Sequence, residues 1–105
     1  MHTYSTTPQK IGTWHNGKDI YEVVVPNLNI TLTNSWQNLV DLRSENIDEV
    51  IYVDALGTYY NSKASMVAVN AGQIAFVDGY IQGYKIRDNA VVKTVIVQYT
   101  KNASS

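Results

Sequence analysis

Cysteine is absent from this 105-residue chain. Neither a disulfide framework nor a thiolate metal site can hold it together, so burial must, supplemented by assembly with other copies. Phenylalanine occurs once, proline twice, and histidine twice, as His2 and His15. One histidine in a polar opening stretch and one beside a turn give no metal-ligand spacing and no oriented base for a nucleophile. Lysine and arginine are scattered singly and the formal net charge is −1. That excludes the concentrated positive surface a nucleic-acid backbone demands. No apolar run approaches the roughly 20 residues of a membrane-spanning helix, and the first residues lack the charged-then-apolar order of a signal peptide. The chain therefore reads as soluble, without membrane insertion. No Asp-x-Asp-x-Asp-Gly calcium loop, Gly-x-Ser-x-Gly elbow or phosphate-binding glycine loop occurs, so neither metal nor cofactor is expected.

What is present is alternation. Two apolar arms, Ile11 to Trp14 and Ile20 to Val25, flank Asn16-Gly17, a pair that tolerates the positive φ angles of a tight type I′ hairpin. Asn29 to Thr33 alternates polar and apolar residues after a break at Pro26-Asn27, as a half-buried strand does. Val50 to Leu56 is apolar almost throughout, which predicts a strand covered on both sides. Ala71-Gly72 and Asp78-Gly79 read as hairpin junctions, and Arg87 to Ala90 as a turn. In the closing segment, Val91, Val95, Val97 and Tyr99 fall on one face, Val92 and Ile96 on the other. Over 35–43, Trp36, Leu39, Val40 and Arg43 also fall at helical spacing, with Asn34 or Ser35 placed to cap. That segment is readable as one short helix or as a strand. Six to eight short strands in one domain of this length point to an all-β fold, an antiparallel β-sandwich.

Several segments together resemble the C-terminal, receptor-binding domains of bacteriophage tail-fibre and virion-fibre proteins. They are Tyr4-Ser5-Thr6, Ile11 to Trp14, Asn16-Gly17-Lys18, Ile20-Tyr21, Asn46 to Ile51 and Val95 to Lys101. His15 stands where that family often has an apolar residue, and Asp19 where proline is frequent. The resemblance implies a jelly-roll-like sandwich over 11–101, with 1–10 as a tail or linker to a shaft and 102–105 as a C-terminal tail. It also implies a homotrimer in a virion, meeting other virion proteins and a bacterial surface glycan, without enzymatic activity. Two other roles stay open: a structural capsid or tail fibre part that touches no receptor, and a carbohydrate-binding module of a phage wall-degrading enzyme.

Candidate binding residues follow from chemistry. Tyr59, Tyr60 and Asn61 sit between two apolar strands in a predicted loop. A flat ring there stacks on the apolar face of a sugar while hydroxyl and amide groups take its hydrogen bonds. The competing reading places Tyr59 over the sandwich edge or against another subunit. Trp14 and Trp36 read as core or interface anchors in preference to sugar platforms. A sugar-cleaving site needs two carboxyl groups about 5 to 9.5 Å apart. Asp48 and Glu49 are adjacent, Asp78 and Asp88 are turn formers, and Asp54 interrupts an apolar strand and needs a partner there. No catalytic pair is convincing.

Overall fold

The computed structural model describes residues 3–67 and 72–102. Among them nine strands run in chain order: β1 (Gln9–Thr13), β2 (Asp19–Val25), β3 (Ile30–Thr31), β4 (Gln37–Asp41), β5 (Ile47–Tyr59), β6 (Ala64–Val67), β7 (Gly72–Val77), β8 (Tyr80–Lys85) and β9 (Val91–Lys101). They form two antiparallel sheets. The larger, in the order β1-β2-β9-β5-β6 with β3 paired to β9, curls into a half-barrel. The smaller is β4-β8-β7. The fold is all-β, and among the described residues its one helical element is a 3₁₀ turn, Arg43–Glu45.

The core lies between the sheets. Val23, Ala55, Val92, Val95, Val97 and Tyr99 come from the larger sheet, Leu39, Val40 and Ile81 from the smaller. Leu32, just past β3, plugs the gap. A Cβ on Gly72 would stand 2.6 Å from one Leu32 methyl and a Cβ on Gly83 2.9 Å from the other. The two glycines thus leave room for one leucine to fill, at the density protein interiors require.

Bulges decide which β9 side chains face this core. Between Leu56↔Thr94 and Gly57↔Val92 the register shifts, so Lys93 is an extra residue and the alternation changes phase. Val92, not Val91, therefore joins Val95, Val97 and Tyr99 inside. A single sequence shows alternation but not the slip that reverses it.

Other expectations need correcting. The first hairpin is not type I′: only Gly17 has positive φ (89°), and Asn16 does not. The Trp14 carbonyl accepts from Gly17 N–H at 2.9 Å, and Trp14 N–H donates to the Lys18 carbonyl at 2.8 Å. This is a three-residue loop with a glycine bulge. Asn16 acts through its side chain instead, accepting from Lys18 N–H at 3.1 Å. The type I′ geometry occurs at Asp78-Gly79, with φ of 52° and 87° between the paired Val77 and Tyr80. No helix forms over 35–43. Residues 37–41 are strand β4, and a bulge at Leu39 lets consecutive Leu39 and Val40 both be buried, which mimicked helical spacing. The expected hairpin junction at Ala71-Gly72 reaches outside the described residues, and the strands on either side of it lie in different sheets, β6 pairing with β5 and β7 with β8. Nor is β5 covered on both sides, since Tyr52 is exposed on its outer face.

Two outcomes follow from this packing. A methyl group on Gly57 would collide with the Val91 carbonyl oxygen and approach Lys93 N to 3.2 Å. Gly57→Ala is expected to destabilise the protein by about 2 kcal/mol, read in urea unfolding. Tyr99 is fully buried and donates to Glu45 Oε1 at 3.1 Å. Burial first, then the Glu45 charge and that hydrogen bond, raise its phenol above the ordinary 10.0. The native state therefore keeps a proton that the unfolded chain loses, so stability is full below pH 10 and falls as pH rises beyond it. Tyr99→Phe is expected to flatten that alkaline decline in a pH series of unfolding midpoints.

Candidate functional site

The predicted loop forms where β5 hands over to β6. Tyr59 pairs with Ala64, leaving Tyr60, Asn61, Ser62 and Lys63 as the turn. Lys63 N–H donates back to the Tyr60 carbonyl at 3.1 Å. Tyr60, Asn61 and Ser62 all have positive φ, at 55°, 53° and 68°. Three successive non-glycine residues in the left-handed region are costly, because each Cβ crowds the following carbonyl. Asparagine tolerates this best. The alternation of β5 sends Tyr59 and Tyr60 apart: Tyr59 packs against the core, whereas Tyr60 is 63% exposed. The Lys63 ammonium lies 5.6 Å from the Tyr60 ring centroid.

This loop is tied to a second aromatic surface at the same end of the molecule. Tyr60 N–H points to the Asp88 carbonyl at 3.5 Å, and Asp88 Oδ1 accepts from Lys85 Nζ at 3.0 Å. Lys85 N–H donates to the Thr33 carbonyl at 2.9 Å, and Thr33 N–H to Gln37 Oε1 at 2.9 Å. Between these bonds sits Trp36, 46% exposed, its ring centroid 5.5 Å from that of Tyr84. Trp36 is thus not a core anchor, while Trp14 is half-buried beside His15.

Tyr84 opens a row along the outer face of the smaller sheet. Ile81 and Gly83 point inward, so Tyr80, Gln82 and Tyr84 point outward by the period of two. Gln82 Nε2 donates to Asn38 Oδ1 across the strands at 2.8 Å. At the far end the Arg43 guanidinium lies 4.8 Å over the Tyr80 ring and grips the Asp41 carboxylate through Nε and Nη2 at 3.0 and 2.9 Å. Those bonds, with the Arg43 backbone N–H, hold Asp41 down to about 2 and push Arg43 upward. Both stay ionised together. Beside them opens a hollow of about 360 Å³ lined by Leu42, Arg43, Ile47, Phe76 and Asp78, among others.

The carboxylates are dispersed. Asp48 pairs with Lys18, and Asp54 accepts from the Tyr52 hydroxyl at 3.2 Å. Burial, followed by the Asp54 charge, raises the Tyr52 phenol. Glu22, on β2, is buried and accepts from Gln98 Nε2 at 2.9 Å. Among the described residues no group of three or more His, Cys, Asp or Glu is placed to hold a metal ion, and no helix is long and apolar enough to cross a membrane. No family model, curated protein or solved structure matches the chain.

Of the outer-face residues the sequence singles out Trp36 alone, as an anchor in preference to a sugar platform, although Tyr80-x-Gln82-x-Tyr84 and Trp36-x-Asn38 carry the strand period openly. The loop strain gives a direct check. Ser62→Gly removes a crowded Cβ from an exposed left-handed position, and is expected to raise stability by about 1 kcal/mol, several degrees in Tm by calorimetry.

Proposed function

We propose that this chain is a non-enzymatic virion module, the terminal domain of a bacteriophage fibre that assembles as a homotrimer and attaches to bacterial surface polysaccharide. The observation that carries this reading is the 60–62 turn. Backbone strain of this kind persists only where the surrounding structure over-determines it, and it clusters at binding sites. Here it displays Tyr60 and Asn61 to solvent, a flat ring beside an amide, while Tyr59 anchors the loop to the core.

The fibre assignment draws on the resemblance, and the fold gives it a physical context. The segments that carry it are far apart in the chain but adjacent in space: β1, its hairpin loop, β2, the start of β5 and the end of β9. Tyr21 pairs with Tyr99, Val50 with Tyr99, and Ile47 with Lys101. Ser5, in the opening segment, accepts from Val24 N–H on β2 at 2.8 Å. What resembles the fibre family is therefore a scaffold block of one sheet, not a ligand surface. The jelly-roll-like description is supported by nested pairing: β2 with β9, and inside it β4 with β8. Trimerisation suits a cysteine-free domain whose open sheet edges and exposed Tyr52 offer surface to other copies. Several weak sugar contacts held on one trimer then act together.

Light scattering on dilute protein is expected to give three times the protomer's 11.7 kDa. On an array of bacterial polysaccharides the trimer is expected to bind without releasing reducing ends, and Tyr60→Ala to weaken binding about ten-fold without changing the mass. A monomer that binds nothing, or release of reducing ends, would overturn the proposal.

A further inference from the structure

We propose that the outer face of the β4-β8-β7 sheet is itself a binding site for a linear, uncharged polysaccharide. It rests on the attachment reading above but lies on a surface distinct from the 60–62 turn. A sugar ring offers an apolar C–H face and a rim of hydroxyls, so a chain of sugars is met best by aromatic rings alternating with amides. That is the order of this face. Trp36 and Tyr84 stand at one end, Asn38 and Gln82 in the middle, and Tyr80 under Arg43 at the other. Tyr80 and Tyr84 are four residues apart on β8, a span of about 13 Å, which matches a short oligosaccharide and not a single sugar.

Hydrogen bonding and charge narrow the occupant. The bond from Gln82 Nε2 to Asn38 Oδ1 uses one donor and one acceptor of the pair and links the two amides, whose other ends are a donor on Asn38 and an acceptor on Gln82. A pair of neighbouring hydroxyls, each both donor and acceptor, is their natural complement. Asp41 and Arg43 offset each other's charge through two hydrogen bonds, so this end of the face carries no net charge. Complementarity of charge therefore favours a neutral chain over a polyanion. A second copy of this protein fits poorly, because the centre of a stable subunit interface is apolar and this centre is an amide pair. The rings need little reordering, since Trp36 packs on Tyr84 and Tyr80 lies under Arg43.

The test is titration calorimetry of the full chain with cellohexaose, chitohexaose and maltohexaose, with heparin as the polyanion, alongside tryptophan emission. At least one neutral hexasaccharide is expected to bind and to shift the emission of Trp36. Trp36→Ala and Tyr84→Ala are each expected to weaken it at least ten-fold, with Trp36→Phe retaining most of the affinity. Trp36 is 46% exposed and lies outside the core, so its replacement leaves the core intact, and an unchanged thermal transition would establish that. The proposal is overturned if heparin binds in preference, if Trp36→Ala binds like the parent, or if Trp36→Ala changes the mass in solution, which would make this face a contact between copies. Polysaccharide binding that is lost only in Tyr60→Ala would sink this inference and leave attachment standing. Silence of the parent chain on both the array and the hexasaccharides would sink both.

Discussion

Everything in this fold is arranged around β9. It hydrogen-bonds to β2 along one edge and to β5 along the other, and β3 adds to the first of these near its start. Val92, Val95, Val97 and Tyr99 are completely buried along its inner face. From Val95 to Tyr99 the strand is paired on both sides, so the backbone donors and acceptors of that stretch have places in a ladder. Loss of its register would strand many buried polar groups at once. The bulges at Lys93 on β9 and at Ile51 on β5 are tolerated because they keep apolar residues inward where strict alternation would turn them out. Tyr99 fastens the strand at its far end, stacking on Tyr21 and bonding to Glu45, the last residue of the 3₁₀ turn.

The class of fold was legible because period-two patterning is a direct image of half-buried strands. Strands β2 and β9 stand where the sequence pattern placed them. The misreadings have one cause, which is that pairing adds residues the pattern cannot reveal. At Leu39 a bulge brought two consecutive side chains inward and imitated a helix. At Lys93 another reversed the phase and exchanged Val91 for Val92. At Asn16-Gly17 the dipeptide signalled a hairpin correctly, but not its loop length, which depends on how Trp14 and Lys18 close the ladder. The Tyr60 turn was legible as a loop with exposed aromatic potential. Its left-handed backbone was not, since part of what holds it is the carbonyl of Asp88, 28 positions away.

The two aromatic surfaces are not independent ornaments. Tyr60 and Trp36 belong to different sheets, yet the 85–88 turn bonds to the loop of one and, through Thr33, to the approach to the other. One end of the molecule is thereby braced by a short chain of hydrogen bonds that fixes the relative placement of both rings. Rigid placement matters for a weak ligand, because ordering costs consume most of a small interaction energy.

Leu32 carries a consequence of another kind. It is seated against the inner side of Gly83, whose neighbours on β8, Gln82 and Tyr84, look outward. A bulkier or slimmer residue at position 32 would push or relax the β8 backbone and so re-aim the rings and amides on the opposite side. The aim of an outward surface is thus set from within, by a hidden adjusting screw that is itself only 2% exposed.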